Sequence, residues 1–159
     1  MGQEEFRLFF EKTARQLWAY LMRVSGDPGT ADDLLQESYL RLLRSSLPAD
    51  AEEAHRRNYL YRIATNLLRD RSRQRGREGL LSEAKERASW PTSDQDHSVH
   101  SALARLRPVE REMLWLAYVE GASHAEIAEV TGYTRLSIRP LLSRARRRLA
   151  RMLEGGTDK

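Results

Sequence analysis

Three features of the sequence predict an all-α protein made of two small helical domains joined by a flexible linker. Apolar residues recur at helical spacing in four segments, and no convincing alternating strand pattern competes with them. A polar, proline-containing stretch, GREGLLSEAKERASWPTSDQDH, interrupts that pattern from Gly76 to His97. Near the carboxy terminus a short helical pattern, a glycine turn and an arginine-rich segment follow one another, the signature of a helix-turn-helix. With 159 residues the chain has room for two such domains, each with a modest core.

The first helix is expected from about Glu4 to Val24, with Phe6, Phe9, Phe10, Leu17 and Leu21 as its apolar residues, and it stops at SGDPG. The second is expected to open at Thr30 as N-cap, with Asp32 and Asp33 in the first turn where carboxylates favour the helix dipole. Its inward stripe is Ala31, Leu34, Leu35, Tyr39, Leu42 and Leu43. After the polar SSLPADAEEA, a third helix of about Arg56 to Arg75 buries Leu60, Ile63, Ala64, Leu67 and Leu68. Arg56, Arg57, Arg62, Arg69 and Arg73 are left on its other sides. These helices make a first domain over residues 1–75, and residues 76–97 form the linker, with room for a short helical piece.

A second domain is expected over residues 98–159. Pro108 suits the first turn of a helix that continues to Tyr118 and ends at Glu120-Gly121. Ser123 and Glu126 stand at capping-box spacing for the next, short helix, which Gly132 terminates. Thr134 then caps the last helix, which runs towards Leu153. Ile127, Ala128, Ile138, Leu142, Ala145 and Leu149 hold the last two helices together. Pro140 falls inside the last helix, where it removes a donor and costs about 3 kcal/mol in a helix interior. Either the helix starts late, with Ser137 as N-cap and Pro140 in the first turn, or it starts at Thr134 and bends at the proline. The late start avoids most of the cost and is the expected solution.

Composition narrows the function. There is no Cys, which excludes disulfides, thiolate zinc sites and cysteine nucleophiles. No apolar run approaches the roughly 20 residues that span a bilayer, and no signal-peptide core opens the chain, so a cytoplasmic protein without membrane insertion is expected. No cofactor is expected, because no glycine-rich phosphate loop or nucleophile elbow appears. His97 and His100 lie three apart but have no further metal ligand nearby. Asp32, Asp33 and Glu37 read as a solvated or protein-binding helix face and not as an acid/base pair. No enzyme is expected.

Charge points to nucleic acid. The net charge of +4 hides an asymmetry: residues 1–55 carry ten acids against six bases, and residues 56–77 carry eight Arg against Asp70. Twenty-four of the 27 basic residues are Arg, whose planar fork suits phosphate and guanine, although genomic base composition explains such a bias equally well. In the last helix, taking Ile138 as zero at about 100° per residue, Leu142, Ala145 and Leu149 share its stripe. Arg139 then lies at about 100°, Arg147 at about 180°, Arg151 at about 220° and Arg144 at about 240°. A merely solvated face normally mixes signs, but residues 139 to 151 hold six Arg and no acid. In the third helix RRNYLYRIATNLLRDRSRQRGR interleaves Tyr59 and Tyr61 with arginines, a pattern suited to unstacked bases. Each tyrosine alone fits a packing role at least as well.

Two blocks carry a resemblance. GDPGTADDLLQESYLRLL and NYLYRIATNLLRDRSRQRGR resemble region two of bacterial RNA polymerase sigma factors, and the final fifty residues resemble region four. The short length, with only a linker between the domains, resembles the extracytoplasmic-function group. The resemblance implies a three- or four-helix region-2-like domain and a region-4-like helix-turn-helix domain. It implies that Asp33, Leu34, Gln36 and Glu37 bind the core polymerase, with its β′ and β subunits as partners. It implies that Arg56, Arg57, Tyr59, Tyr61, Arg62, Asn66, Arg69 and Arg73 melt and hold the minus-ten element of promoter DNA. It implies that Thr134, Arg135, Ser137, Arg139, Pro140, Ser143, Arg144 and Arg147 bind the minus-thirty-five element. An anti-sigma factor is a further implied partner, and the free chain is expected to be a monomer. Where such proteins commonly carry Ser and Arg in the recognition helix, this chain has Pro140 and Leu141, so its minus-thirty-five specificity is expected to differ or be weak. A sigma-like decoy that reads no promoter, and a stand-alone helix-turn-helix regulator, are the competing readings.

Overall fold

A computed structural model describes residues 1–78 and 101–155, and every regular element among them is a helix. The helices are α1 (Gln3–Ser25), α2 (Pro28–Arg44), α3 (Glu53–Glu78), α4 (Pro108–Tyr118), α5 (His124–Thr131) and α6 (Arg135–Gly155), with a short helical run at 101–105. Two compact units result. One is Met1–Glu78 with Glu129–Gly132, and the other is the described part of Gly79–Ala128 with the chain from Tyr133 onward.

In the first unit α1 ends where Gly26 turns left-handed at φ 73° and its N–H donates to the Met22 carbonyl. Asp27 follows at once as the N-cap of α2, its carboxylate accepting from Thr30 N at 3.1 Å and Thr30 Oγ1 at 2.6 Å. The expected N-cap, Thr30, is instead inside the first turn and buried. The reason is Pro28, whose fixed φ suits the first helical position and whose missing N–H is not needed there. The core is built from Leu17, Tyr20, Leu21 and Val24 of α1, Ala31, Leu34, Tyr39 and Leu42 of α2, and Leu60, Tyr61, Ala64, Leu67 and Leu68 of α3.

Some apolar expectations fail at its edge. Leu43 is 47% exposed, because it lies roughly 110° from the centre of the α2 stripe. Phe10 of α1 is also exposed, while Leu35 and Ile63 are only half-buried. Buried polar groups help to close the core. Ser38 Oγ donates to the Leu34 carbonyl at 2.6 Å, and Thr13 Oγ1 donates to the Phe9 carbonyl at 2.8 Å while sharing a 2.5 Å bond with the Tyr39 hydroxyl. Burial raises the Tyr39 phenol above its ordinary pKa, against the pull of that bond. Phe6, Phe9 and Phe10 surround the same ring, the last at 4.8 Å between centroids.

Helix α3 outruns its expected ends, continuing through Glu78, so the first three residues assigned to the linker are helical. The rest of that linker, with His97 and His100, lies outside the described residues.

In the second unit Arg107 N donates to Glu110 Oε1 at 3.1 Å, and Pro108 opens α4 as expected. Gly121, at φ 67°, turns the chain after it. Ser123 and Glu126 make the expected capping box, with both bonds at 3.1 Å. Gly132, at φ 82°, ends α5, and three residues later α6 begins. Ile127, Ile138, Leu142 and Ala145 are buried, and Ala128 and Leu149 half-buried, so these positions pack largely as expected. Leu106, Leu114 and Ala145 form a core cluster, with Leu103, Leu149 and Met152 against it.

The late start expected for the last helix does not occur. Helix α6 is continuous from Arg135, and Pro140 is its sixth residue. Thr134 and Ser137 instead share a 2.6 Å hydroxyl bond at the true start, and Ser137 N donates to the Thr134 carbonyl at 3.0 Å. Proline has no N–H to offer the Leu136 carbonyl, and Leu136 and Pro140 are both exposed.

Candidate functional site

Helix α6 sorts its arginines by angle. With Ile138 at zero, Arg146 lies at about 80° and Arg148 at about 280°, on the two flanks of the core stripe. Both are used within the unit: Arg146 Nη1 donates to the Tyr118 hydroxyl at 2.9 Å, and Arg148 Nη1 meets Glu110 Oε1 at 3.1 Å. Glu110 keeps only 10% of its side-chain exposure, so this second bond neutralises a nearly buried carboxylate. Arg139, Arg144, Arg147 and Arg151 remain on the outward side and are exposed. Arg147 Nε leans back on the Ser143 carbonyl at 3.4 Å, which steers the side chain without neutralising it.

Of the remaining residues assigned to the upstream element, Thr134, Arg135 and Pro140 are exposed, and Ser137 and Ser143 half-buried. They surround one surface on the amino-terminal half of α6. The assignment missed Leu136, 91% exposed in the middle of that surface. Its signal is present in the sequence, since it lies at about 160° from Ile138, opposite the core stripe.

Helix α3 divides in the same way. With Arg62 at zero, Tyr59, Asn66, Arg69 and Arg73 fall between about 340° and 60°, a single stripe. Arg62, Asn66 and Arg73 are exposed, Tyr59 and Arg69 are half-buried, and Arg69 Nη1 donates to the Thr131 carbonyl. Three other assigned residues face elsewhere. Tyr61 is 3% exposed and packs on Tyr20 at 5.3 Å between centroids, so it is a core residue and not a stacking platform. Arg57 lies over the Tyr61 ring at 5.7 Å and donates to Gln16 Oε1 at 3.2 Å. Arg56 lies over Phe9 at 5.8 Å and donates to the Ala49 carbonyl at 3.1 Å. Helical spacing in fact places Arg57 at about 220° and Arg56 at about 120°, within and at the edge of the stripe of Leu67, Leu60, Ala64 and Leu68 at about 140° to 240°, so the expectation that both lie on other sides fails. Their long stems let them cover apolar neighbours while the guanidinium finds an acceptor.

On α2 the acidic surface is smaller than the motif. Asp33 and Gln36 are exposed, and Glu37 is half-buried and holds Arg41 Nε at 3.0 Å. Leu34 is 3% exposed and belongs to the core, so it is closed to a partner. Asp32 accepts from Trp18 Nε1 at 2.8 Å. Leu40, 44% exposed, lies at about 340° when Asp33 is zero, between Gln36 and Glu37. Leu40 is thus the exposed apolar residue among the assigned polar ones on this face.

Two family models match the chain: Sigma-70 region 2 over residues 9–78 and Sigma-70, region 4 over residues 96–149. The ECF RNA polymerase sigma factor SigC of Mycobacterium tuberculosis is 32% identical over 146 residues, covering 87% of this chain and 77% of the relative. The ECF RNA polymerase sigma factor BldN of Streptomyces coelicolor is 29% identical over 160 residues, and SigE of Mycolicibacterium smegmatis 31% over 147. Those alignments take in 94% and 86% of this chain, which spans only 61% of BldN and 56% of SigE. Among solved structures, the sigma factor RpoE in complex with the anti-sigma factor NepR from Bartonella quintana superposes with a TM-score of 0.75. It is 23% identical, and the match covers 98% of this chain and 99% of that one. CnrH in complex with the cytosolic domain of CnrY superposes at 0.71 with 22% identity, over 97% and 90% of the two chains. At such identities the likeness is one of fold.

Proposed function

We propose a function from one premise: this chain belongs to the extracytoplasmic-function family of RNA polymerase sigma factors. In this reading it binds core RNA polymerase, brings it to particular promoters and opens the DNA there, while the chemistry of RNA synthesis stays with the polymerase. Residues 1–75 serve core and minus-ten binding, residues 76–97 link, and residues 98–159 bind the minus-thirty-five element.

The observation that carries the reading is the division of arginines on two separate helices. On α3 and α6 alike, some arginines are spent on the chain's own carbonyls, rings and carboxylates, and a coherent outward set is left. Two outward basic faces in one chain fit two contacts along one promoter, a melted strand for the first and a duplex groove for the second. The minus-ten set is Tyr59, Arg62, Asn66 and Arg73, with Arg69 beside them although its guanidinium also donates to the Thr131 carbonyl. The upstream set is Thr134, Arg135, Ser137, Arg139, Pro140, Ser143, Arg144 and Arg147. Asp33, Gln36 and Glu37 bind the core, with Leu40 between them.

An anti-sigma factor is a further proposed partner, supported by the similar fold solved in complex with the anti-sigma factor NepR. A cytoplasmic location goes with this role, and no helix among the described residues is long and apolar enough to cross a membrane.

The test is transcription from genomic fragments by core polymerase with and without this protein. Promoter-dependent transcripts that require the chain support the proposal. Binding to core without open complexes would make it a decoy, and no binding to core would make it a free-standing DNA-binding protein.

A further inference from the structure

We propose that Leu136, with Pro140 one turn on, reads the 5-methyl group of a thymine in the major groove of the upstream promoter element. The inference rests on the sigma-factor reading above and adds a specificity contact to it.

Leu136 is 91% exposed, far more than any other large apolar residue described. A single exposed leucine on an ordinary surface means little. This one stands at about 160° from Ile138, with Pro140 at about 200° and Arg147 at about 180°, so it lies at the centre of the outward face. Its neighbours there, Arg139 and Arg144, with Arg135 on the flank at about 60°, are exposed cations with the sign and reach for phosphates. A face so charged approaches DNA closely, and whatever projects from its centre meets base edges.

The chemistry of that centre is specific. Leucine offers no donor or acceptor, and proline has neither a polar side chain nor an N–H. Against guanine or the cytosine amino group, such a surface would strip water from polar atoms and return no hydrogen bond. Thymine alone presents an apolar group on the major-groove edge, its 5-methyl. An apolar pair at this centre thus reads a base by its methyl group and not by hydrogen bonds.

Uracil lacks only that methyl, which makes it the direct probe. Core polymerase loaded with the full chain is used to select promoters from a library randomised upstream of the minus-ten element. Each thymine in the selected upstream element is then replaced by uracil. At one or two positions, wild-type binding should weaken about fourfold per methyl, the factor that about 0.8 kcal/mol per buried carbon corresponds to. Leu136→Ala should bind the thymine duplex more weakly by a similar factor and no longer distinguish it from uracil. Circular dichroism should show its helix content unchanged. A selected element in which uracil is tolerated everywhere, or a Leu136→Ala chain that still prefers thymine, overturns the inference. Open complexes without any upstream preference overturn it too and leave the sigma-factor reading standing. No open complex from any library member counts against that reading itself.

Discussion

Arg75 and Asp27 stand 3.3 Å apart, so a guanidinium near the end of α3 holds the residue that caps the start of α2. Arg75 Nη2 also donates to Thr30 Oγ1 at 2.8 Å, which closes a triangle around the cap. An arginine within the basic run that suggests nucleic acid is therefore spent on joining two helices.

Asp27→Ala should lower stability by about 1 kcal/mol at neutral pH, the usual worth of an aspartate N-cap. The Thr30 hydroxyl, then the Thr30 N–H and Arg75, hold the Asp27 carboxyl below its ordinary pKa against partial burial. A depressed pKa in the folded state adds stability that is present above the ordinary carboxylate value and is lost as pH falls through the lowered one. Urea melts of the two proteins should thus differ by a constant amount above about pH 5 and converge in stronger acid. A gap that widens in acid would contradict the assignment.

Tyr20 and Thr65 share a 2.7 Å hydroxyl bond, and both are fully buried. Tyr20→Phe alone should cost about 1–3 kcal/mol by stranding the threonine hydroxyl. Adding Thr65→Val should cost less than the sum of the two single changes, so a double-mutant cycle in urea should show coupling.

The α2 surface gives a contrast between neighbouring leucines. Asp33→Lys with Glu37→Lys, or Leu40→Asp alone, should abolish binding to core polymerase while the melting temperature stays within a few degrees. Leu34→Asp should instead unfold the first unit, because it places a charge in the core. Core pull-down beside thermal melts separates the two outcomes.

Along α3, Arg62→Ala with Asn66→Ala should reduce promoter opening, read by permanganate reactivity, with stability changed by less than about 0.5 kcal/mol. Arg57→Ala should do the reverse and destabilise by about 1 kcal/mol, since it removes a ring contact and a bond to Gln16.

On α6, Arg147→Ala should make DNA binding less salt-dependent by about one unit of the log–log slope. Arg148→Ala should leave that slope unchanged and cost about 1–3 kcal/mol, because Glu110 loses its partner. Equal effects of the two changes on the slope would mean that the division of arginines on this helix is wrong.

Much of the second unit is legible in its sequence. Pro108 to Tyr118, the Ser123/Glu126 capping box, the Gly132 turn and the stripe of Ile138, Leu142 and Ala145 follow from spacing and turn chemistry, which act over a few residues. The boundaries of α2 and α6 are less legible. The Asp-Pro pair displaces Thr30 as a cap, and the Thr134–Ser137 start carries Pro140 into the body of the helix.

By itself the sequence determined that the chain is helical, where its helices turn, and that arginine is concentrated on two of them, because periodicity and charge are local properties. Spacing already turns Arg57 and Arg75 inward, both at about 220° from Arg62 and beside Ala64 at about 200°, but only the tertiary structure decided which partner each long side chain meets. Arg57 finds Gln16, Arg75 finds Asp27, Arg148 finds Glu110 and Tyr61 finds Tyr20 through packing between helices distant in sequence. A long side chain at the edge of a stripe has two destinations, water or a neighbouring helix. Which one it takes depends on where that neighbour lies, and helical spacing alone carries no such information.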